Sequence, residues 1–294
     1  MYRRLICLCL CTYLLSYALA QSCEAPFPSH PDPSLEQAVL DSAPILSDNT
    51  SLTESDPFML RAAARKMSNI NIEIVSDPVC PWCYIGKKKL DQAIEEYQVE
   101  NPDTTFTKTW KSFYVKPNSP LTGVTVLPHL AHQYGETMAS VMTQRIRTMG
   151  ADVGIDFKCE GKTGRTRDAH RVIQLAKLKH PELTTGIVQA LFEAYWETSP
   201  GADITSHEDI TKAGVKAGLD ETEVREWLAS DNGGKEADAE ARALYISGVP
   251  NYKIGKYSVS GAQDSSSFVK IFNNIKAVEN GEPEPWSWGS CVGQ

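Results

Sequence analysis

The sequence predicts an α/β fold in which a small sheet is interrupted by a long helical block, and three observations carry this reading. An apolar run rich in isoleucine and valine, Asn71 to Val75, leads into a turn that holds two cysteines, Cys80 and Cys83. After a second strand signal come roughly 125 residues of helical periodicity with recognisable caps. Two short strand signals hinged at Gly255-Lys256 and a last helix then complete the pattern.

Each element follows from its residues. Pro81 opens "PWCYIGKKKLDQAIEEY", where Ile85, Leu90 and Ile94 recur at near-helical spacing, and proline suits a first turn because its missing N–H has no intrahelical partner there. Phe106 to Val115, "FTKTWKSFYV", alternates as a strand does. In the helical block, about 120–245, Arg167 to His180 places Val172, Leu175 and Ala176 on one face, and Ile187, Leu191 and Tyr195 do the same in the next helix. Ser206 with Asp209, and Asp220 with Glu223 ahead of Val224, Trp227 and Leu228, read as capping boxes. These apolar stripes are read as core. "ISGVPNYKIGKYSVSGAQ" supplies the hairpin, and Ser265 to Val278 the final helix. The order strand, helix, strand, helices, hairpin, helix is that of a thioredoxin-like fold, with a large all-helical insertion between an N-terminal βαβ half and a C-terminal ββα half.

At 294 residues, 41% hydrophobic and 22% charged, the chain can bury one large core or two small ones. Residues 1–20 combine Arg3 and Arg4, an apolar run from Leu5 to Leu15 and a small-x-small site at Ala18-Leu19-Ala20, the pattern of a secretory signal peptide. The run is shorter than the ~20 apolar residues a membrane anchor needs, and no later segment reaches that length, so no membrane association is expected after cleavage. Residues 21–66 hold six prolines and the sequon at Asn49, a glycosylation acceptor in a flexible leader. The domain is placed at 67–279 and a tail at 280–294. Secretion or an endomembrane lumen is the expected location; a chain starting at Met67 would instead be cytosolic. Without the signal, 27 basic and 37 acidic side chains leave a formal charge of −10, which argues against nucleic acid as a partner. Cys23, Cys80, Cys83, Cys159 and Cys291 then remain, an odd number, so at least one is free or paired between chains. No feature specifies an oligomeric state.

The pair Cys80-Pro81-Trp82-Cys83 admits three chemistries. Zinc needs a second pair of ligands, which the isolated remaining cysteines and the six histidines do not supply, so no metal is expected. A structural bridge across two residues would close too small a loop to remove much chain entropy. A redox pair fits the position, because a thiolate at a helix N-terminus gains from unpaired N–H groups and the helix dipole. Cys80 receives that stabilisation and Cys83, one turn further in, is placed to resolve a mixed disulfide. Lys87, Lys88 and Lys89 add positive charge, though on a helix they read first as a solvated face. Gly248-Val249-Pro250, at the start of a strand, is a candidate cis peptide, and a thioredoxin architecture sets such a proline against the cysteine pair, where backbone can pair with an extended peptide.

Residues 70 to 278 resemble the DsbA-like thioredoxin superfamily, and within it the FrnE-like branch related to 2-hydroxychromene-2-carboxylate isomerases and kappa-class glutathione transferases. "SDPVCPWCYIGK", "DAHRVIQLAK", "ALFEAYWET", "ISGVPNYKIG" and "YSVSGAQ" carry the resemblance in the expected order. It implies a thiol–disulfide oxidoreductase with catalytic Cys80 and Cys83, a substrate groove at Pro81, Trp82, Val249 and Pro250, and a cysteine-containing protein or small thiol as partner. No bound cofactor is expected, with glutathione as a possible co-substrate. The isomerase and transferase relatives commonly replace a cysteine by serine, whereas both are kept here. Where periplasmic DsbA proteins carry a histidine within the motif, this chain has Trp82, so Cys80 is expected to be less acidic and the protein a weaker oxidant. Trp82 and Tyr84 are read as exposed contact surface. His170, in the Asp-Ala-His stretch, is read as a helix residue hydrogen-bonded near the site. The alternatives are a glutathione-dependent isomerase or tailoring enzyme for an aromatic or polyketide secondary metabolite, and a non-catalytic binding module.

Overall fold

Nine residues of alternating apolar character, Ser68–Ser76, form the central strand β1. The computed structural model describes residues 68–243 and 246–285; the signal peptide, the leader with Cys23 and Asn49, Met67 and Cys291 lie outside them. Ile70, Ile72 and Ile74 are all buried. Helix α1 follows over Pro81–Glu100, then β2 over Thr104–Ser112. β1 and β2 pair in parallel with Ser76 opposite Ser112, and β5 (Asn251–Ile254) pairs antiparallel on the other side of β1. β6 (Tyr257–Ser260) completes the order β2-β1-β5-β6. Gly255, in the turn joining β5 and β6, has φ of +57°, which glycine takes without a Cβ clash. Helix α9 (Ser265–Glu279) packs along α1, and Tyr97, Phe106 and Phe272 of α1, β2 and α9 meet edge to face.

Between β2 and β5 lie α2 (Val126–Tyr134), α3 (Glu136–Ala151), α4 (Arg167–Lys179), α5 (Thr184–Trp196), α6 (His207–Lys216), α7 (Glu221–Ala229) and α8 (Gly234–Ala243). The fold is thus the thioredoxin-like α/β arrangement with a helical insertion. The insertion also holds a ribbon too short to read from sequence, β3 (Val124–Thr125) against β4 (Lys162–Thr163). α4 is buried on every side from Ala169 to Ala176, which makes it the axis around which α5, α6, α7 and α8 pack. Ser206 and Asp220 cap α6 and α7, each accepting from the N–H three residues on. No described helix is long and apolar enough to cross a membrane.

β2 ends earlier than its alternation predicts. Phe113 N–H still donates to Ser76 O at 3.2 Å, but Val115 N–H turns to the Asp77 carboxylate at 2.8 Å, so the chain leaves the sheet there. Lys87 and Tyr84 also depart from expectation. Lys87 is buried rather than solvated, because Asp91, one turn on, receives its ammonium at 2.6 Å and also that of Lys108 from β2. Tyr84 is fully buried rather than a contact surface: its ring stacks on Phe192 with centroids 4.8 Å apart, and its hydroxyl donates to Glu197 and accepts from Gln189.

Candidate active site

The turn from β1 into α1 is organised by Asp77. Its carbonyl accepts the Cys80 N–H at 3.0 Å, while its carboxylate accepts from Val79 N–H at 3.3 Å and Val115 N–H at 2.8 Å. Cys80 is thereby held as the N-cap of α1, in extended backbone, with Pro81 as the first helical residue. Cys83 N–H donates back to Cys80 O at 3.1 Å, which sets the two thiols one helical turn apart. The first turn of α1 carries no acidic residue, so no carboxylate there offsets the positive end of the helix.

The opposite wall is the segment entering β5. The Val249–Pro250 peptide bond is cis, and the Cys80 thiol donates to Val249 O at 3.7 Å. Gly86 permits this approach of α1 to β5, since a Cβ there would sit 2.3 Å from the Tyr252 hydroxyl and 3.1 Å from Pro250 Cγ. Cys80, Cys83, Val249 and Pro250 are therefore brought together from the two ends of the domain. Pro81 and Trp82 flank them, partly exposed, with the Arg145 guanidinium of α3 5.7 Å from the Trp82 ring centroid.

Both cysteines are free thiols, Cys80 7% exposed and Cys83 2%. Burial pushes the Cys83 thiol well above the ordinary cysteine range; the Cys80 thiol and its charge add to this, and the Asp77 backbone N–H opposes it. The arrangement can thus keep Cys83 protonated behind a sulfur that faces a peptide carbonyl.

His170 lies in α4, fully buried, its Nε2 3.0 Å from Phe113 O and 3.9 Å from the Asp77 carboxylate. Asp77 intervenes between it and the sulfurs. Burial lowers its imidazole to about 4, and burial raises Asp77 to about 7 against the two backbone donors and the Thr166 hydroxyl. Sequence reasoning missed Asp77 as a site residue; its signal is an acid in the turn between an apolar strand and the cysteines. It also missed Trp196, whose indole N–H donates to Pro78 O at 3.1 Å and ties α5 to the same turn. Among the described residues, no group of three or more His, Cys, Asp or Glu side chains is placed to hold a metal ion.

Comparison with known proteins bears on the same region. Residues 71–273 match the family model of the DSBA-like thioredoxin domain. The uncharacterised protein YwbO of Bacillus subtilis is 26% identical over 70% of this chain and 96% of its own length. The crystal structure of a probable DsbA oxidoreductase from Streptomyces coelicolor superposes with a TM-score of 0.63 at 26% identity, covering 74% of this chain and 93% of that one. A 2-hydroxychromene-2-carboxylate isomerase shares the fold at 12% identity, with a TM-score of 0.51 over 72% of this chain and 98% of its own.

Proposed function

The chain belongs to the DSBA-like thioredoxin family, and we propose that it is a thiol–disulfide oxidoreductase in which Cys80 attacks and Cys83 resolves. The observation that supports this most is the pair of free thiols across the first turn of α1, the more exposed one 3.7 Å from the Val249 carbonyl. The Cys80 thiolate attacks a substrate disulfide, forms the Cys80–substrate bond and expels the other substrate sulfur as thiolate. Cys83 then loses its proton and attacks the Cys80 sulfur, forming the Cys80–Cys83 bond and releasing the second substrate thiol. The substrate is reduced and the pair oxidised; run backwards, the same steps insert a disulfide into a dithiol. Val249 and Pro250, with Pro81 and Trp82, line the groove in which an extended segment pairs with backbone. The partners are cysteine-containing proteins or small thiols, glutathione included as co-substrate, in a secretory or endomembrane compartment.

The test is Cys83→Ser. Without the resolving thiol the mixed disulfide accumulates, so incubation with oxidised protein extract and an acid quench should give adducts on non-reducing gels. Cys80→Ser should give none through this site, because serine cannot form the bond. If Cys83→Ser shows no more adducts than Cys80→Ser, and an isomerase turnover strictly requires glutathione, the tailoring-enzyme reading replaces this one.

A further inference from the structure

Beside the cysteine turn the structure forms a second feature that the exchange chemistry does not use. Because β1 and β2 are parallel and in register, the chain leaving β2 emerges next to the turn leaving β1. There, residues of that chain, the start of α4 and the end of α8 line an open cavity of about 320 Å³. Lys116, Arg165, Arg167 and Arg242 line it, with Asp238 as the one carboxylate. This is a concentration of positive charge on a chain whose formal net charge is −8.

The carboxylates nearby do not neutralise it. Arg167 takes Asp231 at 2.6 Å and Asp238 at 3.1 Å, and Tyr114 also donates to Asp238 at 2.9 Å. Arg242 keeps a 3.9 Å contact with Asp238, and Lys116 donates to the Gln133 amide at 2.9 Å. Arg165 is exposed and has no ion pair among the described residues. Partial desolvation lowers Lys116 from the ordinary lysine range, and this exposed side chain has no carboxylate partner among the described residues. Thr166, the N-cap of α4, does not cap the helix with its side chain; its hydroxyl goes to Asp77. The positive end of α4 adds to the same field.

Asp77 links the cavity to the cysteines. Its carboxylate holds Val115 N–H at the cavity's rim and its carbonyl holds Cys80 N–H. An extended peptide advances about 3.3 Å per residue, so an acidic side chain two to four residues from the cysteine reaches about 7–13 Å along the chain. We propose that the cavity receives a carboxylate of the thiol substrate, an aspartate or glutamate side chain two to four residues from the reacting cysteine of an extended peptide. The proposal rests on the exchange reading above and narrows its substrates to peptides with an acidic residue near the cysteine.

The experiment uses short peptides whose single cysteine is activated as a mixed disulfide with thionitrobenzoate and which carry Glu or Gln two, three or four residues away. Cys80 attacks the peptide sulfur and expels the coloured thiolate, so release reads the rate. Glu is expected to exceed Gln by about five- to tenfold at one of these positions at low salt. The ratio should shrink in about 0.5 M NaCl, and should fall below about twofold in Arg165→Ser/Arg242→Ser. Arg165→Ser alone should lower it part of the way. The same peptides with serine for cysteine, titrated by fluorescence anisotropy against Cys80→Ser protein, read the cavity without exchange. Exchange at equal Glu and Gln rates with equal binding overturns the cavity proposal and leaves the oxidoreductase reading standing. Glu-selective binding without exchange of any peptide sustains the cavity and sinks the oxidoreductase reading.

Discussion

Asp77 is the side chain whose ionisation bears most directly on the turn that holds the cysteines. Burial raises its carboxyl to about 7, while burial lowers His170 to about 4, so between those values both are neutral and their 3.9 Å separation is not an ion pair. The folded protein binds the Asp77 proton more tightly than the unfolded chain does. Its contribution is therefore fully present below the ordinary carboxyl value of 3.8 and is lost as pH rises through about 7. His170 acts with the opposite sign, its contribution being lost as pH falls toward 4. Asp77→Asn keeps His170, so the difference between the two proteins isolates the carboxyl. Wild type should lose about 2–4 kcal/mol relative to Asp77→Asn between pH 4 and about 8, measured by urea unfolding. A difference independent of pH would refute the assignment. The cysteine pair could be picked out from sequence because its residue types and spacing name a candidate chemistry. The burial of Tyr84 and Lys87 could not, since Phe192, Glu197 and Lys108 arrive from distant segments.

The seat of α1 on β5 depends on one close approach. A methyl at Gly86 would meet the Tyr252 hydroxyl at 2.3 Å, and that hydroxyl is buried with no hydrogen-bond partner among the described residues. Gly86→Ala should cost about 1–3 kcal/mol by overpacking and slow exchange by shifting Cys80 from Val249. Tyr252→Phe alone should be neutral or stabilising, since it deletes an unsatisfied buried group, and in combination it should recover part of the Gly86→Ala loss. Additive losses in the double variant would refute the contact. Caps and periods made most elements legible: Ser206 and Asp220 bond as their spacing implies. Strand limits were less legible, because β1 runs Ser68–Ser76 wherever β2 offers a partner, beyond its isoleucine and valine run.

The helical insertion and the sheet share one apolar core, with Ile72 and Ile74 of β1, Ile85 of α1, Val172 of α4 and Leu191 of α5 in the same cluster. Polar ties also cross between them, among them these. Trp196 reaches Pro78 O, Tyr84 reaches Glu197, and Glu240 of α8 accepts from Ser112 N–H at 3.0 Å where β2 ends. Residues 68–285 should therefore unfold in one transition, with tryptophan fluorescence and far-ultraviolet circular dichroism giving the same urea midpoint. Separate midpoints would mean that the insertion is an independent unit and that the ties across the cysteine turn are not limiting.

Local chemistry in the chain was enough to establish the α/β class, the helical insertion and the helix-terminal position of Cys80 and Cys83. Those features depend on period, caps and residue type, which act over a few residues. The meeting of Cys80 with Val249, the depth of Asp77 and His170, the burial of Lys87 and the cation-lined cavity beside the turn came from folding alone. Each depends on which distant groups exclude water from a side chain or supply its hydrogen bonds, and that follows from how β1, β2, β5 and the helices pack together.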